Sequence, residues 1–410
     1  MTASTSPITW SRAASADLTH GLLTPFTWSI LSRSAERAVR AHYHALGYDL
    51  PTDTRIWRRH AGRAYINMTA LTAADQAFSS ADASASVSQR LLGRGGDRRQ
   101  ATVLNQQIEA APGTFDAIQR WYDRVQGMQW RQATILQIME EIEPKAEAVL
   151  TVRDTLTTGL GADRRQITRW VAEWLPGASD KLFDALFAGL DGREGWARYR
   201  FDLRRLVEAA RQEPAALAAM QGGQAPSLAG ESAFHRAYDS FLASYGRWGE
   251  QPLEAASPRW SEAPSSLIER VQRTLDETPE PALLDPDLAR QRRAEAGAQI
   301  AKQTGLLRRR QFEPVFGQLQ AAANLLPASR DALVTVIAVA RIWALGAAHE
   351  TVADGRLGAV EDVFLLELEE LKQVMTGEWS SAEQVRPLVE ERRAQQVAWA
   401  AAEPPEVIED

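Results

Sequence analysis

Residues 115–144 read FDAIQRWYDRVQGMQWRQATILQIMEEIEP, and this stretch decides the fold class. Its apolar residues recur at spacings of three and four up to Met128, and the pattern resumes seven residues later at Ile135, which places them on one face of an α-helix. They are Phe115, Ile118, Tyr122, Val125, Met128, Ile135, Met139 and Ile142. The preceding Pro112-Gly113-Thr114 and the final Pro144 predict where this long amphipathic helix begins and ends.

Three more stretches predict helices. A stripe of four aromatic residues ends at a glycine, Gly246, that is placed to cap the C-terminus. The stripe consists of Phe234, Tyr238, Phe241 and Tyr245. Ser266-Leu267-Ile268-Glu269 has the pattern of a capping box at a helix start. Asp285-Pro286 is an N-cap followed by proline at the first helical position, and it predicts an arginine-rich helix to about Arg310.

Strand signals are scarce. The best is residues 63–69, which we expect to pair with residues 54–57 across a turn at Ala61-Gly62. The sequence therefore predicts a mainly α fold, a large multi-helix body with a small β-hairpin near residues 54–69. We expect one helical module over residues 1–403, with lobes at 1–110 and 111–403 as an option, and a linker-like tail at 404–410.

Composition excludes several classes of protein. The chain of 410 residues has no cysteine, which excludes disulfides, thiolate zinc sites, iron–sulfur clusters and a cysteine nucleophile. Its 46 basic and 53 acidic residues give a net charge of −7, so no overall basic footprint indicates nucleic acid as a partner. Met1–Ile8 lacks a signal-peptide pattern. The most apolar run, Ala332–Ala340, is shorter than the ~20 residues of a membrane span. We therefore expect a cytoplasmic protein without a membrane partner.

The histidines do not predict a metal site. In His42-Tyr43-His44 the two imidazoles are two residues apart, and on a helix such side chains point to different sides. We interpret them as ordinary helix histidines. None of the six histidines lies in an HExxH pattern.

Charged runs also have plain interpretations. Gly93-Arg94-Gly95-Gly96-Asp97-Arg98-Arg99 lacks the lysine of a phosphate-binding P-loop and favours a flexible basic loop. Glu140-Glu141-Ile142-Glu143 is typical of a solvated helix end. Arg308-Arg309-Arg310 is expected to end a helix, where cations favourably meet the dipole; phosphate binding is the second interpretation.

The stretch from Tyr245 to Trp260 is dense in polar and aromatic residues. It contains two arginines, two tryptophans and two glutamates among glycines and prolines. A loop of this composition either forms the wall of a ligand site or fills the space between helices, and both interpretations stay open. The 13 tryptophans of the chain leave the same choice, between an aromatic core and an aromatic-walled cavity.

Four separated stretches occur in an order known from another protein family. The first is Trp10-Ser11-Arg12 with Leu23–Ser29, and the second is Arg63–Asn67, which is similar to a "GRxYxN" strand. The third is Tyr245–Trp260, which is similar to a "YGHRG…E-x-D…PRW" loop. The fourth is Gly355–Leu357 with Glu361–Leu366, which is similar to "G-x-L…EDVFFL". Together they resemble the central helical region of PEP-utilizing enzymes. That family includes phosphoenolpyruvate synthase and the rifampicin phosphotransferase type.

The chain departs from the family pattern at several polar positions. Ala14 stands where family members usually have asparagine. Arg247 and Trp248 occupy the histidine and arginine positions of the "YGHRG" loop. Pro252 replaces the following glutamate, whereas Glu254 conservatively replaces the later aspartate. The polar contacts that the family loop offers are therefore largely rewritten.

The resemblance also implies which parts are supplied elsewhere. The family transfers phosphate from ATP, bound in an ATP-grasp domain, onto a histidine in a swivelling domain, and then onto a substrate. None of the six histidines here lies in the family's "G-G-x-x-S-H" setting. The resemblance thus implies a substrate-binding and docking body. We expect no cofactor on this chain, ATP and Mg on a partner subunit, and ATP-grasp and phosphohistidine-domain proteins as partners.

These inferences lead to one main hypothesis and two alternatives. The main one is a substrate-binding subunit of a split PEP-synthase-like phosphotransferase that acts on a specialised metabolite. No residue of the chain is expected to be catalytic. The expected substrate contacts are Arg12, Asn67, Arg247, Trp248, Glu254, Arg259 and Trp260. For Arg259 a structural ion pair is an equal alternative. The alternative functions are a non-catalytic scaffold protein derived from the family and, with least support, a self-sufficient helical enzyme.

Overall fold

The computed structural model describes residues 7–16, 18–19, 21–83, 96–128, 132–221, 232–276, 285–379 and 382–410. The predicted mainly α fold is confirmed. The α-helices of the described residues are α1 Pro25–Leu46, α2 Met68–Ala83, α3 Gly96–Gln126, α4 Gln132–Trp174, α5 Asp180–Leu186, α6 Ala197–Gln212, α7 Pro214–Gln221, α8 Ala233–Tyr245, α9 Pro264–Asp276, α10 Pro286–Gln303, α11 Leu306–Ala353, α12 Leu368–Thr376 and α13 Ala382–Ala400. Short 3₁₀ helices cover Ala13–Ser15, Glu194–Trp196 and Val360–Leu365. Of the loop predicted at Gly93–Arg99, residues 93–95 lie outside the described residues, and residues 96–99 form the beginning of α3 instead of a loop.

An antiparallel sheet contains the predicted hairpin. Its strands are β1 Thr9–Ser11, β2 Trp57–His60, β3 Arg63–Asn67 and β4 Val407–Glu409, in the order β2-β3-β1-β4. The hairpin is confirmed, but its first strand is Trp57–His60 and not residues 54–57, and β1 and β4 are absent from the prediction. The last residues differ from the expected linker-like tail, since Trp10 pairs with Ile408 on one side and Asn67 on the other. Strands of three residues carry too little pattern to be recognised in a sequence.

The chain folds as two compact units. Unit 1 consists of Met1–Thr155, Leu253–Ala256 and Thr335–Asp410. In its core the Phe26 ring stacks on Trp343, with centroids 6.0 Å apart, and meets Phe364 edge-on at 5.9 Å. Unit 2 consists of Leu156–Pro252 and Ser257–Val334. The single module over residues 1–403 stays a prediction.

The predicted helix boundaries need correction. Pro112 and Pro144 lie inside α3 and α4, so neither marks a helix end. On both sides of Pro144 the helix buries apolar residues, Ile142 and Ala146 among them, and this burial outweighs the ~3 kcal/mol cost of an internal proline. The helix predicted from Ser266 begins at Pro264 instead.

The helix that begins at Pro286 is confirmed, with the Asp285 carboxylate accepting from the Asp287 N–H at 2.8 Å. It ends at Gln303, before Gly305, and does not continue to Arg310. Arg308–Arg310 therefore lie near the beginning of α11, and the expectation that they end a helix is wrong. The acidic run at residues 140–143 is also not a helix end; it lies within α4, where Glu143 pairs with Arg37 of the same unit.

Among the described residues, one helix is long and apolar enough to cross a membrane, and it is α11. Its most apolar window is 78% buried inside the protein. Burial of this extent is typical of the core helix of a globular body, so the helix is weak support for a membrane span.

Candidate functional site

A cavity of about 650 Å³ in unit 1 is the candidate site. It lies along α1, beside the segment that leads into β2, and next to the start of α12. Its lining residues are Trp28, Ser29, Ser32, Arg33, Glu36, Arg40, Thr52, Thr54, Arg55, Trp57 and Glu367. Small-molecule sites generally have volumes of about 300–1,000 Å³, so this cavity is large enough for an organic substrate.

Hydrogen bonds of two α1 residues, Glu36 and Arg40, fix the wall of the cavity to that helix. Glu36 Oε2 accepts from the backbone N–H groups of Ile56 and Trp57 at 3.0 and 3.2 Å, and its Oε1 pairs with Arg40 at 3.1 Å. Arg40 Nη1 donates in turn to the carbonyls of Leu50 and Pro51 at 3.1 and 3.0 Å. The hydrogen-bonding capacity of Glu36 and Arg40 is thus largely used within the protein.

The predicted substrate residue Asn67 supports the same wall from behind. Its Nδ2 donates to the carbonyl of Arg55 at 2.9 Å, and its Oδ1 accepts from the N–H of Ala70 at 2.9 Å. The second contact caps the first turn of α2. Asn67 is 4% exposed and does not line the cavity. It positions the backbone that carries Arg55.

Other lining groups face the cavity with capacity to spare. The exposed Arg55 guanidinium has no hydrogen bond or ion pair to any residue that the structure describes. Arg33 has a long contact of 3.5 Å to Glu143. Ser32 and Thr52, which carry hydroxyl groups, are also among the lining residues. Guanidinium groups beside hydroxyls recognise oxyanions through charge-assisted hydrogen bonds.

Two half-buried indoles give the cavity flat apolar walls. Trp28 and Trp57 both line it. The Arg59 guanidinium lies 5.9 Å from the Trp28 ring and 5.2 Å from Trp399, so it supports Trp28 by cation–π contacts. Burial lowers the pKa of Arg59, and the nearby Glu367 opposes this shift. The cavity therefore combines aromatic faces with positive charge.

Glu254, another predicted contact, accepts four hydrogen bonds from residues of unit 1. Its carboxylate accepts from the N–H of Thr24 at 2.9 Å, from Thr24 Oγ1 at 2.8 Å and from Thr27 Oγ1 at 2.7 Å. It also accepts from the N–H of Ala256 at 2.8 Å. Thr24 is the N-cap of α1, so Glu254 places a negative charge at the positive end of that helix.

In unit 2, Arg247 and Trp248 converge on one acid. The Arg247 guanidinium forms an ion pair with Asp331, whose Oδ1 accepts from Trp248 Nε1 at 2.9 Å. The Trp248 ring stacks on Tyr199 with centroids 4.6 Å apart and contacts Tyr245 edge-on at 5.4 Å. At 2% exposure, Trp248 belongs to the aromatic core of the unit.

Arg259 and Trp260 are buried in the same unit. They are 3% and 1% exposed. Arg259 Nη1 donates to the carbonyl of Pro252 at 2.9 Å. The backbone N–H of Trp260 donates to the backbone carbonyl of Trp248 at 2.7 Å. A side chain at Gly249 would place its Cβ 2.3 Å from the Pro258 carbonyl oxygen, which only glycine avoids. The loop was predicted either to form the wall of a ligand site or to fill the space between helices. The burial of its unit 2 residues supports the second interpretation.

Comparison with protein families shows what part of the chain is similar to. Residues 140–334 match the rifampicin phosphotransferase fourth domain. The resemblance to PEP-utilizing enzymes is confirmed. The match covers just under half of the chain and includes the loop that contains Arg247, Trp248, Arg259 and Trp260. No curated protein matches the chain.

This relation to PEP-utilizing phosphotransferases rests on a segment other than the cavity lining. The matched segment, residues 140–334, belongs mainly to unit 2, although it includes Glu254 of unit 1. The cavity is lined by residues between 28 and 57 and by Glu367, none of which lies in that segment. Arg12 lies half-buried just after β1. The pKa of Arg63 is lowered mainly by burial and further by the nearby charge of Arg12. None of the seven predicted contacts lines the cavity, and their role toward a substrate stays a prediction.

Sequence reasoning missed the residues that do line the cavity. Trp28 lies within Leu23–Ser29, one of the stretches that resemble PEP-utilizing enzymes, and this resemblance is the one signal that could have found it. Arg55 and Trp57 belong to the predicted first strand of the hairpin, residues 54–57, of which only Trp57 lies in β2. A positively charged residue beside a strand has no feature that separates a ligand contact from a solvated side chain. Their common cavity becomes visible only in three dimensions.

Proposed function

We propose that this chain is the substrate-binding and docking subunit of a split, ATP-dependent phosphotransferase of the PEP-synthase type. The observation that supports it best is the 650 Å³ cavity with guanidinium, hydroxyl and indole groups, in a chain related to PEP-utilizing phosphotransferases. The ATP-grasp and phosphohistidine domains belong to separate partner proteins. ATP and Mg bind to the partner, and the complex works in the cytoplasm.

The lining of the cavity favours a particular acceptor. Trp28 and Trp57 provide faces for a flat ring, and the Arg55 and Arg33 guanidinium groups favour negative charge nearby. An organic metabolite with a conjugated ring and a hydroxyl or carboxylate fits this chemistry. The acceptor is therefore a specialised metabolite and not a small central one.

The reaction needs positioning more than chemistry from this chain. The P–N bond of the partner's phosphohistidine breaks and a P–O bond to the acceptor oxygen forms, while the acceptor hydroxyl loses its proton and the leaving imidazole nitrogen takes one up. Holding the acceptor in place converts this encounter into an effectively unimolecular step. Arg55 neutralises the negative charge that accumulates on the transferred group.

Reconstitution with radiolabelled ATP tests this proposal. The full chain is purified together with the ATP-grasp and phosphohistidine proteins that accompany it, and small metabolites are extracted from the same cells. We expect labelled product only when all three proteins are present. Labelled product that forms equally well without this chain would contradict the proposal.

A matched pair of variants localises the site. Arg55→Ala removes a cavity guanidinium, whereas Arg120→Ala removes an exposed arginine of α3. A hydrogen bond to a charged group contributes about 1.5–3 kcal/mol, so Arg55→Ala should raise the KM for the acceptor roughly 10- to 100-fold. Arg120→Ala should leave it unchanged. Equal KM values in the two variants would remove Arg55 from the site.

A second candidate function is a non-catalytic scaffold protein derived from the family. The observation in its favour is that the side chains of Glu254, Arg247 and Trp248 all have partners within their own units. Titration of the intrinsic tryptophan fluorescence with metabolite fractions distinguishes the two. A saturable change that is lost in Trp57→Phe supports the substrate-binding subunit, and its absence together with intact partner binding supports the scaffold.

A further inference from the structure

A second, smaller cavity lies within unit 2. Its volume is about 160 Å³, and it is bordered by α6, by the beginning of α10 and by residues of α11. Three arginines and one glutamate are among its lining residues, Arg198, Arg290, Arg293 and Glu194. The substrate proposal above does not use this cavity.

Arg293 is the central feature of the cavity. It is 4% exposed, yet no carboxylate of the described residues pairs with it at 4.0 Å or less. Its Nη1 donates to the carbonyl of Ala188 at 2.5 Å, and its Nη2 has a longer contact of 3.3 Å to Asn324 Oδ1. Its buried Nε has no hydrogen-bond partner in the described part of the chain. A buried guanidinium with an unsatisfied donor and no counter-ion is costly unless an anion binds it.

The charges around Arg293 have the same implication. Burial lowers the pKa of Arg293, the neighbouring Arg290 lowers it further, and Glu194 opposes these effects. Arg198 and Arg290 are about half-exposed and share Asp287, at 3.2 and 3.3 Å. Arg198 and Arg290 are thus paired with an exposed acid, whereas the Glu194 carboxylate favours the charged form of Arg293 without forming an ion pair with it.

The first turn of α10 contributes to the same cavity. Pro286 and Ala289 belong to its lining, so the positive end of an 18-residue helix faces this space. Pro286 has no N–H, and the Asp287 N–H already donates to the Asp285 carboxylate at 2.8 Å, so the helix contributes its dipole here and not free backbone donors. The helix end and the unsatisfied buried guanidinium are independent observations.

The size of the cavity limits the ligand. At about 30 Å³ for each water in the liquid, 160 Å³ corresponds to roughly five water molecules. This volume suits inorganic phosphate or a short carboxylate and is too small for a nucleotide. We propose that the unit 2 cavity is a binding site for a small oxyanion, which the buried Arg293 guanidinium and the half-exposed Arg290 guanidinium bind.

Calorimetric titration of the full chain tests this site. Inorganic phosphate, acetate and malonate are each titrated separately, so that phosphate and carboxylate binding are distinguished. We expect a saturable isotherm with one site per chain for at least one of them. If none of the three anions gives such an isotherm, the proposal is overturned.

Two variants of neighbouring arginines locate the bound anion. Arg290 lines the cavity, whereas Arg292 lies on the same helix, is exposed and does not. Arg290→Gln should weaken binding roughly fivefold to tenfold, because a charge-assisted hydrogen bond is lost, while Arg292→Gln leaves it unchanged. Equal losses in both variants would mean a general charge effect and would overturn the site.

A third variant tests the cavity itself. Ala197 is half-buried and lines it, so Ala197→Leu fills the space without changing the charge of the chain. Binding of the anion should disappear in this variant while the circular dichroism spectrum stays that of the wild type. If Ala197→Leu folds and binds as the wild type does, the anion binds elsewhere and the proposal is overturned. A substrate bound at Arg55 in unit 1 is unaffected by these variants.

Discussion

Thr27 Oγ1 donates a hydrogen bond of 2.7 Å to Glu254 Oε1, and the two residues are separated by 227 positions in the sequence. The same oxygen accepts from the N-cap residue of α1, Thr24, at 2.8 Å. Thr27 Oγ1 in turn accepts from the N–H of Ala255 at 2.9 Å. The start of α1 and the segment around Glu254 are therefore fixed to each other through one buried carboxylate.

Glu254→Ala should destabilise the protein strongly. It removes a 6% exposed carboxylate and leaves four donors without their acceptor. Breaking such a network costs about 2–4 kcal/mol of unfolding free energy. Urea unfolding followed by circular dichroism measures it, with Glu269→Ala on the exposed face of α9 as the control. A midpoint equal to that of the control would show that Glu254 is free for another role.

Trp248 should contribute to stability through both its ring and its Nε1. Trp248→Ala removes a ring that stacks on Tyr199, at a cost of about 3–5 kcal/mol for a buried large side chain. Trp248→Phe keeps an aromatic ring and loses the donor to Asp331, so about 1–2 kcal/mol of unfolding free energy should be lost. Thermal unfolding of the two variants distinguishes the contribution of the ring packing from that of the Nε1 hydrogen bond. Two wild-type melting curves would contradict a core role for this indole.

Much of the fold could be predicted from the sequence, because helical spacing is local. The stripe from Phe234 to Tyr245 matches α8, and Asp285-Pro286 matches the start of α10. The helix ends at Pro112 and Pro144 could not be predicted correctly. Local rules place proline at helix boundaries, but burial of the flanking residues decides here.

The candidate site was less accessible to sequence reasoning. Asn67 belongs to a strand that resembles the family pattern, and in the structure it donates to the backbone of the cavity-lining residue Arg55. The cavity combines residues of α1 with Glu367, more than 300 positions away. Such distant contacts leave no periodic signal in a single sequence. The loop residues Trp248 and Trp260 were noticed for their composition, which fits a buried core as well as a binding surface.

Asn67→Ala should loosen the wall of the substrate cavity. The variant loses the cap of α2 at Ala70 and the anchor of the Arg55 carbonyl. Loss of a helix cap costs about 1 kcal/mol of unfolding free energy. Acceptor affinity should also fall, because the backbone that carries Arg55 is no longer fixed. Asn67→Asp keeps the cap acceptor and serves as the comparison; equal acceptor affinity in all three proteins would contradict the positioning role.

Asp163 should make the stability of the protein depend on pH. It is 9% exposed, its Oδ2 has no hydrogen-bond partner in the described part of the chain, and burial raises its pKa to about 7. In the unfolded chain the carboxyl ionises near the ordinary value of 3.8. Between these values the folded state binds more protons than the unfolded state, so stability falls as the pH rises from 3.8 through 7.

The isosteric Asp163→Asn variant removes this ionisation. At pH 8 the ionised Asp163 costs up to about 4 kcal/mol of unfolding free energy, since each unit of pKa shift corresponds to about 1.4 kcal/mol. The variant should therefore be more stable than the wild type at pH 8, and the difference should shrink steadily toward pH 4. Urea unfolding of both proteins at several pH values measures it, with Asp116→Asn on the accessible side of α3 as the control. A difference that is independent of pH would mean that Asp163 is ionised in the folded protein and that burial does not govern its pKa.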